Sequence, residues 1–165
     1  EYRLTLREDN ADLRLTETMT AQQLQMLRTG RLDLALIRPP MTASEFPFEI
    51  LRKERLVALL PEAHPLAARD GLSISDLAGE PIIIPAKRAR PYAYDLVMAY
   101  FASAGLVPRI LQETTEKPAM LAMVAAGIGV ALAPDWTETL SRAGVRFRPI
   151  RDVALDPEPA GAIIG

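Results

Sequence analysis

The sequence predicts an α/β fold with mainly parallel sheets flanked by helices, and three observations carry that prediction. Short apolar runs alternate with segments of helical spacing along the chain. Residues 13–38 have the order and size of a β-α-β crossover unit, the connection that parallel neighbours require. Segment ends are marked by residues that cannot continue them. Pro39, Pro61 and Pro134 stop strands, and Gly30, Gly105 and Gly127 stop helices. Elements alternating in this way build sheets covered by helices.

Each element has its own local reason. Leu13-Arg14-Leu15-Thr16-Glu17 alternates apolar and polar, as a half-buried strand does. Thr20-Ala21-Gln22-Gln23 fits a capping box opening a short helix, with Leu24, Met26 and Leu27 on its apolar side. Leu32–Ile37 is an apolar run interrupted only by Asp33 and reads as a buried strand. A loop with Phe46-Pro47-Phe48 follows, then a strand over 56–60. Ser73–Leu77 reads as a capped helical turn, and Ile82-Ile83-Ile84 as a β-branched strand between prolines. Pro91 suits the first position of a helix that runs to Gly105. Arg109–Gln112 is a strand, and Pro118 lies in the first turn of a helix ending at Gly127. Val130–Leu132 is a buried strand. Asp135-Trp136-Thr137-Glu138 repeats the capping pattern, Val145–Ile150 returns to strand, and Ala162–Gly165 is a last apolar strand.

The composition bounds the function. Of 165 residues, 49% are hydrophobic and 24% charged, which excludes a disordered or collagen-like chain. Nineteen basic against 21 acidic side chains leave a net charge of −2, so this segment is not built to hold DNA or RNA by phosphate contacts. No cysteine is present and His64 is the only histidine. Thiolate metal sites, cysteine nucleophiles and histidine-rich centres are therefore excluded, and no metal or cofactor is expected. The longest nearly unbroken apolar run, 119–133, is 15 residues, against about 20 needed to cross a bilayer. Glu1-Tyr2-Arg3-Leu4 carries neither an initiator methionine nor a signal peptide, so the chain reads as a piece cut at both ends.

Five motifs in order carry a resemblance to a known family. They are Leu15-Thr16-Glu17 with Thr20 and Gln23-Leu24, then Leu27 to Ala35 (LRTGRLDLA), Glu54 to Pro61 with His64-Pro65-Leu66-Ala67, Asp76 to Ile83, and Met123 to Pro134. Together they resemble the effector-binding domain of LysR-type transcriptional regulators. Residues 88–95 (RARPYAYD) are similar to those of regulators of aromatic-compound catabolism. The resemblance implies a two-lobed domain like type 2 periplasmic solute-binding proteins, with a ligand cleft between α/β lobes. Lobe I would hold residues 1–61 and 145–165, and lobe II residues 62–144. It also implies that the first strand of lobe I and a winged helix-turn-helix lie outside this chain, with residues 1–10 matching only the end of a helix.

Seven residues are candidates for the ligand site. Thr20 opens a helix, where free N–H groups and the positive dipole end suit a carboxylate. The resemblance turns its hydroxyl toward the cleft; the alternative is a plain N-cap worth about 1 kcal/mol. Thr18 is its neighbour in the same role. Arg38 follows the strand ending at Ile37, the place where α/β sheets bind ligands, and can pair with an anion or stay solvated. Arg90, in the basic cluster with Lys87 and Arg88, follows the strand 82–84 in the same way; the alternative is a solvated face. Under the resemblance Pro91, Tyr92 and Ala93 match the turn lining the effector cleft, with Ala93 where relatives tend to carry an aromatic. The strip Thr114, Thr115 and Glu116 precedes the helix starting around Pro118; one of its hydroxyls reads as the N-cap, with a role in lobe closure as the weaker alternative. Met120, Met123 and Trp136 read as packing, and Gly127-Ile128-Gly129 as a helix stop, since a dinucleotide loop follows a strand.

The function expected is a sensor domain that binds a small carboxylate, aromatic or from an aromatic pathway, and so shifts DNA binding by the rest of a cytoplasmic regulator. The resemblance implies homodimer or homotetramer assembly, DNA contact through the absent domain, and RNA polymerase as a further partner. A periplasmic solute-binding protein shares the fold and is the alternative. An enzyme is not expected: no nucleophile with a base and no paired carboxylates are placed by the sequence.

Overall fold

The computed structural model describes residues 14–37, 46–151 and 158–164. In chain order the elements are α1 (Thr20–Arg28), β1 (Leu34–Ile37), β2 (Phe48–Glu54), β3 (Leu56–Pro61), 3-10 turns at Pro65–Ala68 and Ile74–Leu77, and β4 (Pro81–Pro85). Then come α2 (Pro91–Ser103), β5 (Arg109–Thr114), α3 (Lys117–Ala125), β6 (Val130–Pro134), a 3-10 turn at Asp135–Leu140, β7 (Val145–Pro149) and β8 (Glu158–Ile164).

The strands form two sheets. The smaller has the order β1-β8-β2, and the larger β5-β4-β6-β3-β7. The α/β class and the two-unit architecture agree with expectation, but the pairing is mixed where mainly parallel sheets were expected. β4 runs parallel to β5 and β6, whereas β3 is antiparallel to β6 and β7, and β8 is antiparallel to both its neighbours. The reason lies at Arg55. β2 ends at Glu54 in the small sheet and β3 begins at Leu56 in the large one, so β3 arrives without a crossover helix to reverse the chain. β3 and β7 pair in the larger sheet, so 56–61 and 145–149 share it with strands drawn from 62–144.

The larger sheet is covered on both faces. From β3, Leu56, Ala58 and Leu60 point into a core with Ile82, Ile84, Val97 and Phe101, under α2 and the 3-10 turns. Val57 and Leu59 point the other way, into a core with Ile83, Met120, Leu121 and Val124 of α3. A strand buried on both faces reads as an unbroken apolar run, which is how 56–60 and 82–84 look in the sequence. A smaller cluster of Leu27, Ala35 and Ile37 joins α1 to β1.

Four local expectations are corrected. Residues 14–17 form no strand, and Leu15 is 78% exposed; alternation makes a strand only against a sheet edge, and none of the described strands pairs with it. Thr20 is the first helical residue of α1 instead of its cap. Met19 is the N-cap, Gln22 and Gln23 donate backbone N–H bonds to its carbonyl, and the Gln23 amide reaches the Thr18 carbonyl at 2.7 Å. Asp135 likewise lies inside its turn, and Pro134 holds the N-cap position. On α3 the N-cap is Glu116, with no side-chain cap bond, where a hydroxyl of Thr114 or Thr115 was expected. Ser73 and Asp76 form a reciprocal capping box, and Gly30, Gly105 and Gly127 take positive φ past the helix ends. Leu13, residues 1–10, Arg38 and the Pro39-Pro40 stop lie outside the described residues.

Candidate functional site

The parallel strands β4 and β5 deliver their C-terminal ends, with that of β6, to one side of the larger sheet. The N-termini of α2 and α3 begin there. Across from them stand the N-terminus of α1 and the end of β1. Between these elements lies a cleft of about 1030 Å³, at the upper end of the size range for small-molecule sites. Its position beyond the carboxyl ends of parallel strands is where α/β sheets place ligands.

Three helix starts line the cleft: Met19, Thr20 and Ala21 on α1, Arg90, Pro91 and Tyr92 on α2, and Glu116, Lys117 and Pro118 on α3. Each start carries N–H groups that the helix itself does not satisfy and the positive end of a dipole. The remaining wall is largely apolar, from Leu24, Leu36, Leu51, Leu96, Leu132 and Trp136 among others. Such a site suits a small molecule with an anionic end and an apolar body.

Polar side chains complete the lining. Thr18 contacts the Gln22 amide through its hydroxyl, and both Thr18 and Thr20 are half-buried. Arg90 approaches Glu116, with Nη2 to Oε1 at 3.6 Å, at the cleft wall. Glu54, at the end of β2, is 6% exposed and lines the cleft. Among the described residues no three His, Asp or Glu side chains cluster as a metal site.

Six of the seven candidates from the sequence come together here: Thr18, Thr20, Arg90, Pro91, Tyr92 and Ala93 all line the cleft. Arg38 lies outside the described residues. Of the basic cluster, Arg88 and Arg90 face the cleft, while Lys87 lies over the Tyr94 ring at 5.1 Å from its centroid. Trp136, read as packing, and Met120 contribute to the wall as well. Glu54, Thr139 and Leu140 also line the cleft, and the sequence reading missed them. For Glu54 a signal existed: it is a carboxylate two residues before the apolar run of β3, at the point where the chain passes from one sheet to the other.

A family model described as LysR substrate binding domain matches residues 2–164. The chain belongs to the LysR substrate-binding domain family. This LysR domain is 42% identical over 140 residues to the HTH-type transcriptional regulator TtuA of Agrobacterium vitis, covering 84% of the chain and 46% of that protein. It is 32% identical over 158 residues to the HTH-type transcriptional regulator AlsR of Bacillus subtilis strain 168, covering 96% of the chain and 52% of AlsR. In structure it is similar to the BenM effector binding domain with its effector benzoate, with a TM-score of 0.81 and 28% identity, over 91% of this chain and 68% of that one. The LysR domain thus spans about half the length of these full-length relatives. They are transcriptional regulators, which does not favour the solute-binding protein of a transporter. Among the described residues no helix is long and apolar enough to cross a membrane.

Proposed function

We propose that this LysR domain senses a small carboxylate bound in the cleft, within a larger bacterial transcriptional regulator. The observation that carries the reading is the convergence of three helix N-termini and two arginines, Arg88 and Arg90, on one largely apolar cavity. Helix starts and guanidinium groups favour an anion, and the apolar wall favours a carbon body over inorganic phosphate. In this reading Thr20 donates its hydroxyl to the carboxylate, Thr18 turns its hydroxyl from the Gln22 amide to the same group, Arg90 and Arg38 balance its charge, and Pro91, Tyr92 and Ala93 shape the apolar end. Support for an aromatic acid comes from BenM, whose effector is benzoate, and from Tyr92, whose ring can pack on an aromatic face.

Binding acts through differential affinity for arrangements of the two sheet units, and so changes how the DNA-binding part of the regulator sits on its operator. The domain is not a catalyst and needs no cofactor. The regulator works in the cytoplasm as a homodimer or homotetramer that contacts DNA and RNA polymerase. Calorimetric titration of the intact regulator with benzoate, succinate, citrate and acetate tests the sensing step. Saturable binding of at least one supports it, and binding of none contradicts it.

A further inference from the structure

Resting on the carboxylate reading above, we infer that Glu116 is a built-in competitor for the ligand: its carboxylate neutralises the Arg90 guanidinium until an anionic ligand takes that guanidinium over. The two residues are brought together by the backbone. β4 and β5 are parallel neighbours with Pro85 in register with Thr114, and the turn after β4 is fastened to the end of β5 by the Ala86 N–H on the Thr114 carbonyl at 2.8 Å. Arg90 then caps α2 and Glu116 caps α3, and both line the cleft.

The pair is weak by geometry. Its 3.6 Å separation exceeds that of a charge-assisted hydrogen bond, and the side chains are 44% and 64% exposed, so solvent screens it. It is also asymmetric. Arg90 stands at the positive end of α2, where a cation is unfavourable without a counter-ion, whereas Glu116 stands at the positive end of α3, where a carboxylate is favourable unaided. When a ligand anion takes the guanidinium, Glu116 keeps its helix terminus and Arg90 keeps a counter-ion. The exchange leaves neither charge exposed to an opposing dipole alone.

The sign of the effect separates this role from a structural one. If Glu116 competes, removing its charge tightens ligand binding; if it merely positions Arg90, removing it weakens binding. Glu116→Gln in the intact regulator is expected to bind a carboxylate of the panel, benzoate first, about two- to five-fold tighter, the range that a half-exposed ion pair spans. Arg90→Gln is expected to bind it more weakly, and Glu116→Gln added to Arg90→Gln to give no further gain. A tighter Kd cannot come from damage to the fold. An affinity that Glu116→Gln leaves unchanged or lowers, with wild type binding normally, overturns the inference alone. Failure of wild type and Glu116→Gln alike to bind any panel member overturns the carboxylate reading and the inference with it.

Discussion

Thr20 sits in the first turn of α1 with its side chain at the cleft, and Met19 holds the cap position in its place. Relieved of the capping role, the Thr20 hydroxyl is open to a ligand, and its removal tests binding without removing a cap. Thr20→Ala is expected to weaken carboxylate binding at least several-fold, since a hydrogen bond to a charged group contributes about 1.5–3 kcal/mol. Stability should change by no more than about 0.5 kcal/mol, as for a surface substitution away from such features. Calorimetry beside thermal unfolding reads both, and unchanged affinity would remove Thr20 from the site. Asp76 offers a different single-residue test. Its carboxyl is held below the ordinary 3.8 first by the Ser73 backbone N–H at 2.8 Å, with burial opposing and the Arg69 guanidinium and Ser73 hydroxyl assisting. A carboxyl lowered in the fold adds stability that is complete above its unfolded value and is lost as pH falls through its folded value. The stability advantage of wild type over Asp76→Asn should therefore hold at neutral pH and shrink below about pH 3.8. Denaturant unfolding of both proteins from pH 7 to 2.5 checks it; an advantage that persists undiminished to pH 2.5 contradicts the assignment.

At the scale of elements, β4 and β6 approach closely at one glycine. A Cβ on Gly129 would lie 2.5 Å from the Pro81 carbonyl oxygen, a backbone atom that can move only with its strand. Gly129→Ala is expected to cost about 1–3 kcal/mol, the range for overpacking, and a thermal unfolding midpoint equal to wild type would show that β4 yields freely. The elements legible in the sequence share a physical property. β3, β4 and β6 are buried on both faces and bounded by proline, so their residues are apolar throughout and their ends are marked. β2 was missed because it is partly exposed, with Ile50 at 53% and Leu51 at 46%, and its charged residues break any period. The capping box at Thr20 failed because Thr18 offers the Gln23 amide its carbonyl, a competition within five residues that the four-residue motif does not contain.

For the whole molecule, strand direction was the part least readable from the chain. A local pattern reports which residues are buried but not which sheet receives them, and the passage at Arg55 sends β3 into the larger sheet reversed. The cleft was legible in its individual residues because helix starts and strand ends are local features. Its opposite wall from α1 and β1 follows only from how the two units meet. Since α1 belongs to one unit and α2 and α3 to the other, a carboxylate held by all three ties the units together and couples occupancy to their arrangement. That an anionic group is what the cleft recognises is the central claim. The direct measurement is calorimetry on the intact regulator with benzoate, or the panel carboxylate that binds best, against the carboxamide of the same skeleton. The two have nearly the same shape and differ in charge. Loss of at least about tenfold in affinity for the amide, about 1.4 kcal/mol, is the predicted result. Equal affinity for the two would show that the helix termini and Arg90 do not read the charge, and would contradict the account.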